Sequence, residues 1–310
     1  MRLDVLAVGN INIDMSFFVD GMPKPDDETF ARNFAVFQGG SAANFAVGAA
    51  RLGLRTGILG CVGADPLGRE ALRLLKEEKV STEFVRVSKE RRTGTVCVLV
   101  EESGVRRMVA YRGANEELEL LVRKEIPRAK FVQLCNVSRE VLGAVLRRRG
   151  ESKVILDPGG GSKDLRIEDL RGVDLLFVNE LECANLTGSD YEGGSEILSE
   201  HVGTVVVKLG SRGAFMRDGR ESAYQEAFRV RVVDTTGAGD AFNAGFVAAL
   251  CEERSKREGL AWGSGVAALK IQSEGARTGL PTLKELTAFL RKNKAVKREF
   301  LQYKTNKTKT

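Results

Sequence analysis

The segment Asp234 to Phe246, DTTGAGDAFNAGF, concentrates more potential chemistry than any other stretch of this 310-residue chain. Gly237, Ala238 and Gly239 stand at the mouth of a predicted helix through Ala241 to Glu252, with Thr235 and Thr236 just before it. Without Cβ atoms at the glycines, the backbone N–H groups of these three residues can converge on one point, and the helix N-terminus adds partial positive charge. That is an anion hole. Asp240 falls in the first turn beside it, where the helix dipole helps to hold a carboxylate ionised. A carboxylate next to an anion hole suits a reaction in which one group loses a proton while a neighbouring phosphoryl group gains negative charge. Helix capping by Asp240 alone would account for the same residues, so the rest of the chain must decide.

Two upstream segments could bind a polyol. In QGGSAANFAVGAARLG, Gly39 and Gly40 would let a sugar approach the backbone, and Asn44 can both donate to and accept from its hydroxyls. In Gly9-Asn10-Ile11-Asn12-Ile13-Asp14, Asn12 and Asp14 follow the first predicted strand with their side chains in register. Other chemistries fare worse. Five cysteines lie far apart with no C-x-x-C pair, and His201 is the lone histidine, so zinc sites, disulfide frameworks and Ser-His-Asp schemes are disfavoured. No Walker-type phosphate loop occurs, and Gly263-Ser264-Gly265 lies between helical stretches, where glycines serve packing. Asp157-Pro158, at the end of a predicted strand, reads as a tight strand-to-helix loop at the edge of the site.

The elements that must position these groups are legible in the hydrophobic pattern. Asp4–Val8, Thr56–Val62, Phe131–Cys135, Lys153–Leu156, Leu175–Val178 and Thr204–Lys208 are short Val, Ile and Leu-rich runs of buried strands. Helical stretches alternate with them at Ser41–Leu52, Pro66–Glu78, Ser138–Arg149, Glu180–Leu186 and Gly194–His201. This alternation predicts a mainly parallel sheet covered by helices on both faces, with ligands at the carboxyl ends of its strands. Two segments, about 14–35 and 93–113, are extended and turn-rich instead, and predict a small β lid inserted into a single α/β domain spanning 1–310. Such an exposed lid invites pairing through its edge into a homodimer.

Composition excludes broad classes. With 43% hydrophobic and 29% charged residues the chain is globular, and it has neither an 18-residue apolar run nor a signal-like start, which predicts a cytoplasmic location without membrane contact. The net charge of +6 resides in the tail, where 291–310 carries eight Lys and Arg against Glu299 alone. The body is nearly neutral, so the tail reads as a solvated helix end rather than a nucleic-acid surface.

GGSAAN at Gly39–Asn44 and DTTGAGDAFNAGF at Asp234–Phe246 together resemble the two signatures of the ribokinase-like (PfkB) carbohydrate kinases. GNINID, NELE at Asn179–Glu182, KLGSRGAF at Lys208–Phe215 and EGARTGLPT at Glu274–Thr282 extend the likeness over nearly the whole chain. The resemblance implies a three-layer α/β/α kinase fold and a phosphoryl transfer from ATP or ADP to a sugar or nucleoside hydroxyl. It makes Asp240 the general base and Gly237, Ala238 and Gly239 the anion hole, with Asn12, Asp14, Gly39, Gly40 and Asn44 holding the sugar. Asn179 and Glu182 would organise Mg2+, Glu182 through water. Lys208, Gly210, Ser211, Gly213 and Ser264 would line the nucleotide groove, although Lys208 would by itself pass for a strand-end surface lysine. Carbonyls of Asp234 and Thr236, with others near Gly275 to Gly279, match a loop that binds a monovalent cation, K+, in several members.

Ser41 stands where ribokinases often have Lys, and Ser264 where an Asn lies near the adenine, which loosens sugar and base identity. Ribose, a nucleoside and ribose 1-phosphate all satisfy a cis-diol clamp by Asp14 and Asn12. Arg92, Arg107 and Arg112 in the lid could meet an anionic substituent, which keeps fructose and 2-keto-3-deoxygluconate kinases in play. A non-catalytic sugar- or nucleotide-binding regulator is the reading from another class.

Overall fold

A computed structural model describes residues 3–103, 105–124 and 126–293. Most of the basic tail lies outside the described residues. The chain opens with β1 (Leu3–Gly9), β2 (Asn12–Val19), β3 (Ala31–Gly39), α1 (Ser41–Arg51), β4 (Thr56–Gly63), α2 (Pro66–Glu77) and β5 (Val85–Ser88). Then come β6 (Gly94–Glu101), β7 (Arg106–Tyr111), α3 (Leu118–Val122), β8 (Ala129–Cys135), α4 (Arg139–Arg148), β9 (Lys153–Asp157) and β10 (Leu175–Asn179). The remainder is α5 (Glu180–Thr187), α6 (Tyr191–Ser199), β11 (Thr204–Lys208), β12 (Ala214–Asp218), β13 (Glu221–Gln225), α7 (Ala238–Cys251), α8 (Lys256–Lys270) and α9 (Leu283–Lys292).

Nine strands form one sheet in the order β13-β12-β11-β10-β9-β8-β1-β4-β5, with every neighbouring pair parallel except β11–β12 and β12–β13, so that β12 alone runs against the rest. The continuous apolar runs follow from burial on both faces: along β1, Val5 and Ala7 join one core while Leu6 and Val8 join the other. The first core is closed by residues of α1, α2, α7, α8 and α9, and the second by residues of α3 to α6. This is the expected three-layer α/β/α arrangement. No helix among the described residues is long and apolar enough to cross a membrane.

The lid is a separate sheet in the order β3-β2-β6-β7. Because side chains alternate across a strand and paired residues share a face, Asp14, Phe37, Val96, Ala110, Met108 and Arg106 lie on one face of it. Met15, Phe17, Phe34, Val36, Cys97 and Val109 lie on the other.

Local differences from the sequence expectation have simple causes. Helix α6 begins at Tyr191 rather than Gly194, because the Asp190 side chain caps it by accepting the Gly193 amide. The Asp157-Pro158 segment does not lead into an α-helix; a 3₁₀ turn at Gly159–Lys163 follows, and Asp157 itself turns into the site. Gly263 and Gly265 are in α8, where a Cβ on Gly263 would stand 2.8 Å from the Phe242 carbonyl, in keeping with helix packing.

Candidate active site

Helices α1 and α7 approach so closely that a Cβ on Gly48 would come within 2.9 Å of Ala244 Cβ. The contact brings their amino ends together. Asn44, in the first turns of α1, thereby donates from Nδ2 to Asp240 Oδ2 at 2.9 Å, although 196 residues separate them in sequence. Arg277 completes the support, donating from Nε to Asn44 Oδ1 at 2.8 Å and from Nη2 to the Gly39 carbonyl at 2.6 Å. Asn44 is thus committed at its oxygen and at one N–H to protein partners, so its first role here is to orient Asp240.

Asp240 is half-buried at the mouth of α7. Burial pushes its pKa up to about 7; the Asn44 hydrogen bond opposes the rise, Asp157 adds to it, and Lys208 and Arg277 oppose it. That places its proton affinity where a general base works near neutral pH. Gly237 caps the helix in the left-handed region, φ 73°, and a Cβ there would stand 2.9 Å from Ala276 Cβ, so glycine is required. One detail differs from the sequence expectation. The Ala238 amide donates to the Thr235 carbonyl at 3.1 Å, closing a turn, so Gly237 and Gly239 keep the amides that point free of the loop.

Asp14, which like Asp240 feels the Arg277 charge, is packed against Gly39, where a Cβ would lie 2.3 Å from the carboxylate oxygens. Its Oδ1 is buried without a hydrogen-bond partner, and burial raises its pKa to about 6 against the pull of Arg277. A buried carboxylate oxygen with nothing to accept from is an acceptor for a ligand hydroxyl. Asn12 is held by Asn115, whose Nδ2 donates to its Oδ1 at 2.8 Å, while Asn115 Oδ1 accepts the Ile11 amide. Gly40 is the N-cap of α1 with φ 89°.

Lys208, at the end of β11, is not a surface lysine. Its Nζ donates to Asp157 Oδ2 at 2.6 Å, and Asn243 Nδ2 donates to the same oxygen at 2.5 Å. Burial works against the Lys208 charge, but Asp157, Glu182 and Asp240 outweigh it and raise the pKa. Asn179 and Glu182 form a capping box on α5, each side chain accepting the other's backbone amide. Burial and the nearby Asp157 carboxylate raise the Glu182 pKa. Gly210, Ser211 and Gly213 shape the exposed turn between β11 and β12, at the same end of the sheet as Lys208. Ser264 is buried in the middle of α8.

Of the lid arginines, Arg107 falls differently from expectation. Arg107 shares the face of Phe17 and Phe34, opposite to Asp14, and Arg112 is exposed, with its carbonyl accepting from Asn115. The arginine that reaches the site is Arg106, which donates to Thr236 Oγ1 at 2.7 Å and stands 3.7 Å from Asp234 Oδ1. Arg106, Arg277, Asn115 and Asn243 carried no sequence signal strong enough to single them out. Arg277 falls inside the EGARTGLPT segment and Asn243 inside DTTGAGDAFNAGF, and those were the available hints.

The model of the pfkB family carbohydrate kinases matches residues 2–283. The chain is 32% identical over 304 residues to the ribokinase of Haemophilus influenzae, covering 94% of this chain and 99% of that protein. It is 34% identical over 292 residues to the ATP-dependent ribose-1-phosphate kinase of Halopiger xanaduensis, covering 92% and 97%. The structure of Arabidopsis thaliana ribokinase complexed with ribose and ATP superposes with a TM-score of 0.81 at 29% identity, over 94% of this chain and 99% of that one. A family match over nearly the whole described chain and a relative 32% identical over almost all of its length lead to one assignment: the protein belongs to the pfkB family of carbohydrate kinases, which transfer a phosphoryl group to a sugar or nucleoside hydroxyl.

Proposed function

We propose that the protein transfers the terminal phosphoryl group of a nucleotide, ATP in preference to ADP, to a primary hydroxyl of a ribosyl compound. The observation that carries this reading is the Asn44-held Asp240 carboxylate, half-exposed beside the free amides of Gly237 and Gly239. Asp240 takes the proton from the acceptor hydroxyl as that oxygen bonds to phosphorus. The bond from phosphorus to the bridging oxygen breaks, and the nucleotide leaves one phosphate shorter. The amides and the helix dipole stabilise charge on the transferring group. Asp14, with its unpartnered Oδ1, and Asn12 fix vicinal hydroxyls, which rejects epimers by leaving a buried polar group unpaired.

Two carboxylates suit Mg2+. Asp157 Oδ1 and Glu182 Oε1 accept no hydrogen bond from the described residues, and the raised pKa of Glu182 reflects burial beside another acid. No group of three or more His, Cys, Asp or Glu side chains forms a metal cage among the described residues, so the ion would keep most of its water, as Mg2+ prefers. When bound, it neutralises charge on the phosphates. Lys208 holds Asp157 in place and contributes positive charge beside Gly239, whose Cβ position lies 3.3 Å from Lys208 Nζ.

The test is a matrix of donors (ATP, ADP, GTP) against ribose, ribonucleosides, ribose 1-phosphate, fructose and 2-keto-3-deoxygluconate. We expect the highest kcat/KM with ATP and one ribosyl acceptor. A best acceptor outside the ribosyl group overturns the substrate assignment, and no transfer to any acceptor favours the regulator.

We further propose a homodimer through the lid. The lid face opposite Asp14 carries Met15, Phe17, Phe34, Val36 and Val109 beside Arg107, with the Phe17 and Phe34 rings 4.9 Å apart and Val109 74% exposed, and a second copy would cover it. Sedimentation at micromolar concentration should give a dimer for the parent and a monomer for Val109→Asp. A monomeric parent contradicts the pairing.

A further inference from the structure

The resemblance leads one to expect a monovalent cation on the carbonyls of the 234–236 loop, and the residues present do not fit one. Lys270, the last residue of α8, is 0% exposed, and its Nζ donates to the carbonyl oxygen of Asp234 at 2.8 Å. The carboxylate of Asp234 is equally engaged. Oδ1 accepts from the Thr236 amide at 2.9 Å and from Thr236 Oγ1 at 2.7 Å, and Oδ2 accepts from the Gly275 amide at 2.9 Å. All three oxygens of Asp234 therefore have protein donors. A metal cation beside them would stand next to a buried ammonium that already answers the nearby Asp234 and Asp240 carboxylates and has Arg106 as a further positive neighbour, which is costly away from water.

The surroundings are built for the lysine. The strap at 233–234 lies across the carboxyl end of α8, where the Ile271 carbonyl accepts the amides of Val233 at 2.8 Å and Asp234 at 3.2 Å. That end carries the negative pole of the helix, a favourable place for an ammonium. From there Lys270 ties α8 to the loop that turns, two residues later, into Thr236 and Gly237.

We propose that the Lys270 ammonium replaces the monovalent cation, holding the 234–237 loop and supplying fixed positive charge behind the phosphate-facing amides of Gly237 and Gly239. The consequence is a kinase indifferent to K+. This rests on the phosphoryl-transfer reading above only where turnover or nucleotide binding is measured.

Four measurements test it. Transfer rates in KCl, NaCl and tetramethylammonium chloride at matched ionic strength should agree within about twofold, and the melting temperature should not depend on which cation is present. Activation by K+ of about tenfold or more, or a K+-specific rise in melting temperature, overturns the proposal. Crystals of the parent protein soaked in Tl+ should show no anomalous peak at coordinating distance from the Asp234 carbonyl; such a peak with Lys270 in place overturns it.

Lys270→Ser removes the ammonium and leaves room for an ion. Its calorimetric affinity for ATP in tetramethylammonium chloride should fall by about tenfold, and KCl should restore it. Undiminished affinity without added metal cation, or a loss that KCl does not repair, contradicts the substitution of ammonium for metal. If Lys270→Ser does not fold, the three measurements on the parent still decide. Melting and Tl+ soaking need no turnover, so a protein inactive on every acceptor would sink the kinase reading and leave this inference standing.

Discussion

Asp240→Asn should lower kcat by about a thousandfold, within the usual range for loss of a general base, while ATP affinity changes little. The asparagine keeps the shape and a partner for Asn44, so the loss reads the proton transfer. The pH dependence has a defined sign. Burial raises the Asp240 pKa to about 7, and the base must be ionised, so kcat/KM of the parent should climb as pH rises through about 7. The same shift bears on stability. A carboxyl group whose folded pKa lies above its unfolded value stabilises the fold in acid and loses that contribution as pH rises through the folded value. Asp240→Asn should therefore melt higher than the parent at pH 8, by about 2 °C for each kcal/mol recovered, and match it near pH 4. A variant with parental kcat removes Asp240 from the chemistry.

Arg277→Met is the second large effect. The guanidinium is buried, and its loss strands Asn44 Oδ1 and the Gly39 carbonyl without their donor, which should destabilise the fold by about 3 kcal/mol. It also removes the positive neighbour that opposes the raised pKa values of Asp14 and Asp240. The midpoint of the pH profile should move up by about one unit. Arg277→Lys retains the charge but cannot reproduce a fork that donates from both Nε and Nη2. It should keep the midpoint near the parent's and still lose kcat, because Asn44 no longer holds Asp240 in one orientation. Urea unfolding and pH profiles of both variants check this; a Met variant with an unshifted midpoint would show that Arg277 serves packing alone.

What was legible in the sequence was what local rules determine. Gly237 and Gly239 before an apolar helix announce an anion-binding helix end whatever surrounds them, and alternating Val-rich runs and amphipathic stretches announce the layered sheet. What was not legible depends on partners brought together by the fold. Asn44 meets Asp240 across 196 residues, Arg277 meets Asn44 across 233, and Asn243 meets Asp157 across 86. No spacing rule reaches that far. Lys208 looks like a surface residue because a strand end is usually wet, but β11 lies inside the sheet, and Asp157 at the end of β9 draws its ammonium inward. Arg106 and Arg107 are adjacent in sequence and end on opposite faces of the lid. Register alone decides which of them reaches the anion loop, and one residue of register is beyond what turn signals fix.

The proposed transfer requires that Asp240 and the amides of Gly237 and Gly239 face one volume in which an alcohol meets the end of a nucleotide. A crystal structure with ribose and a non-hydrolysable ATP analogue tests it most directly. We expect the acceptor hydroxyl within about 3.2 Å of an Asp240 oxygen and the terminal phosphate against the Gly237 and Gly239 amides. A sugar bound with that hydroxyl turned away from Asp240, or a nucleotide whose terminal phosphate lies elsewhere, would contradict it.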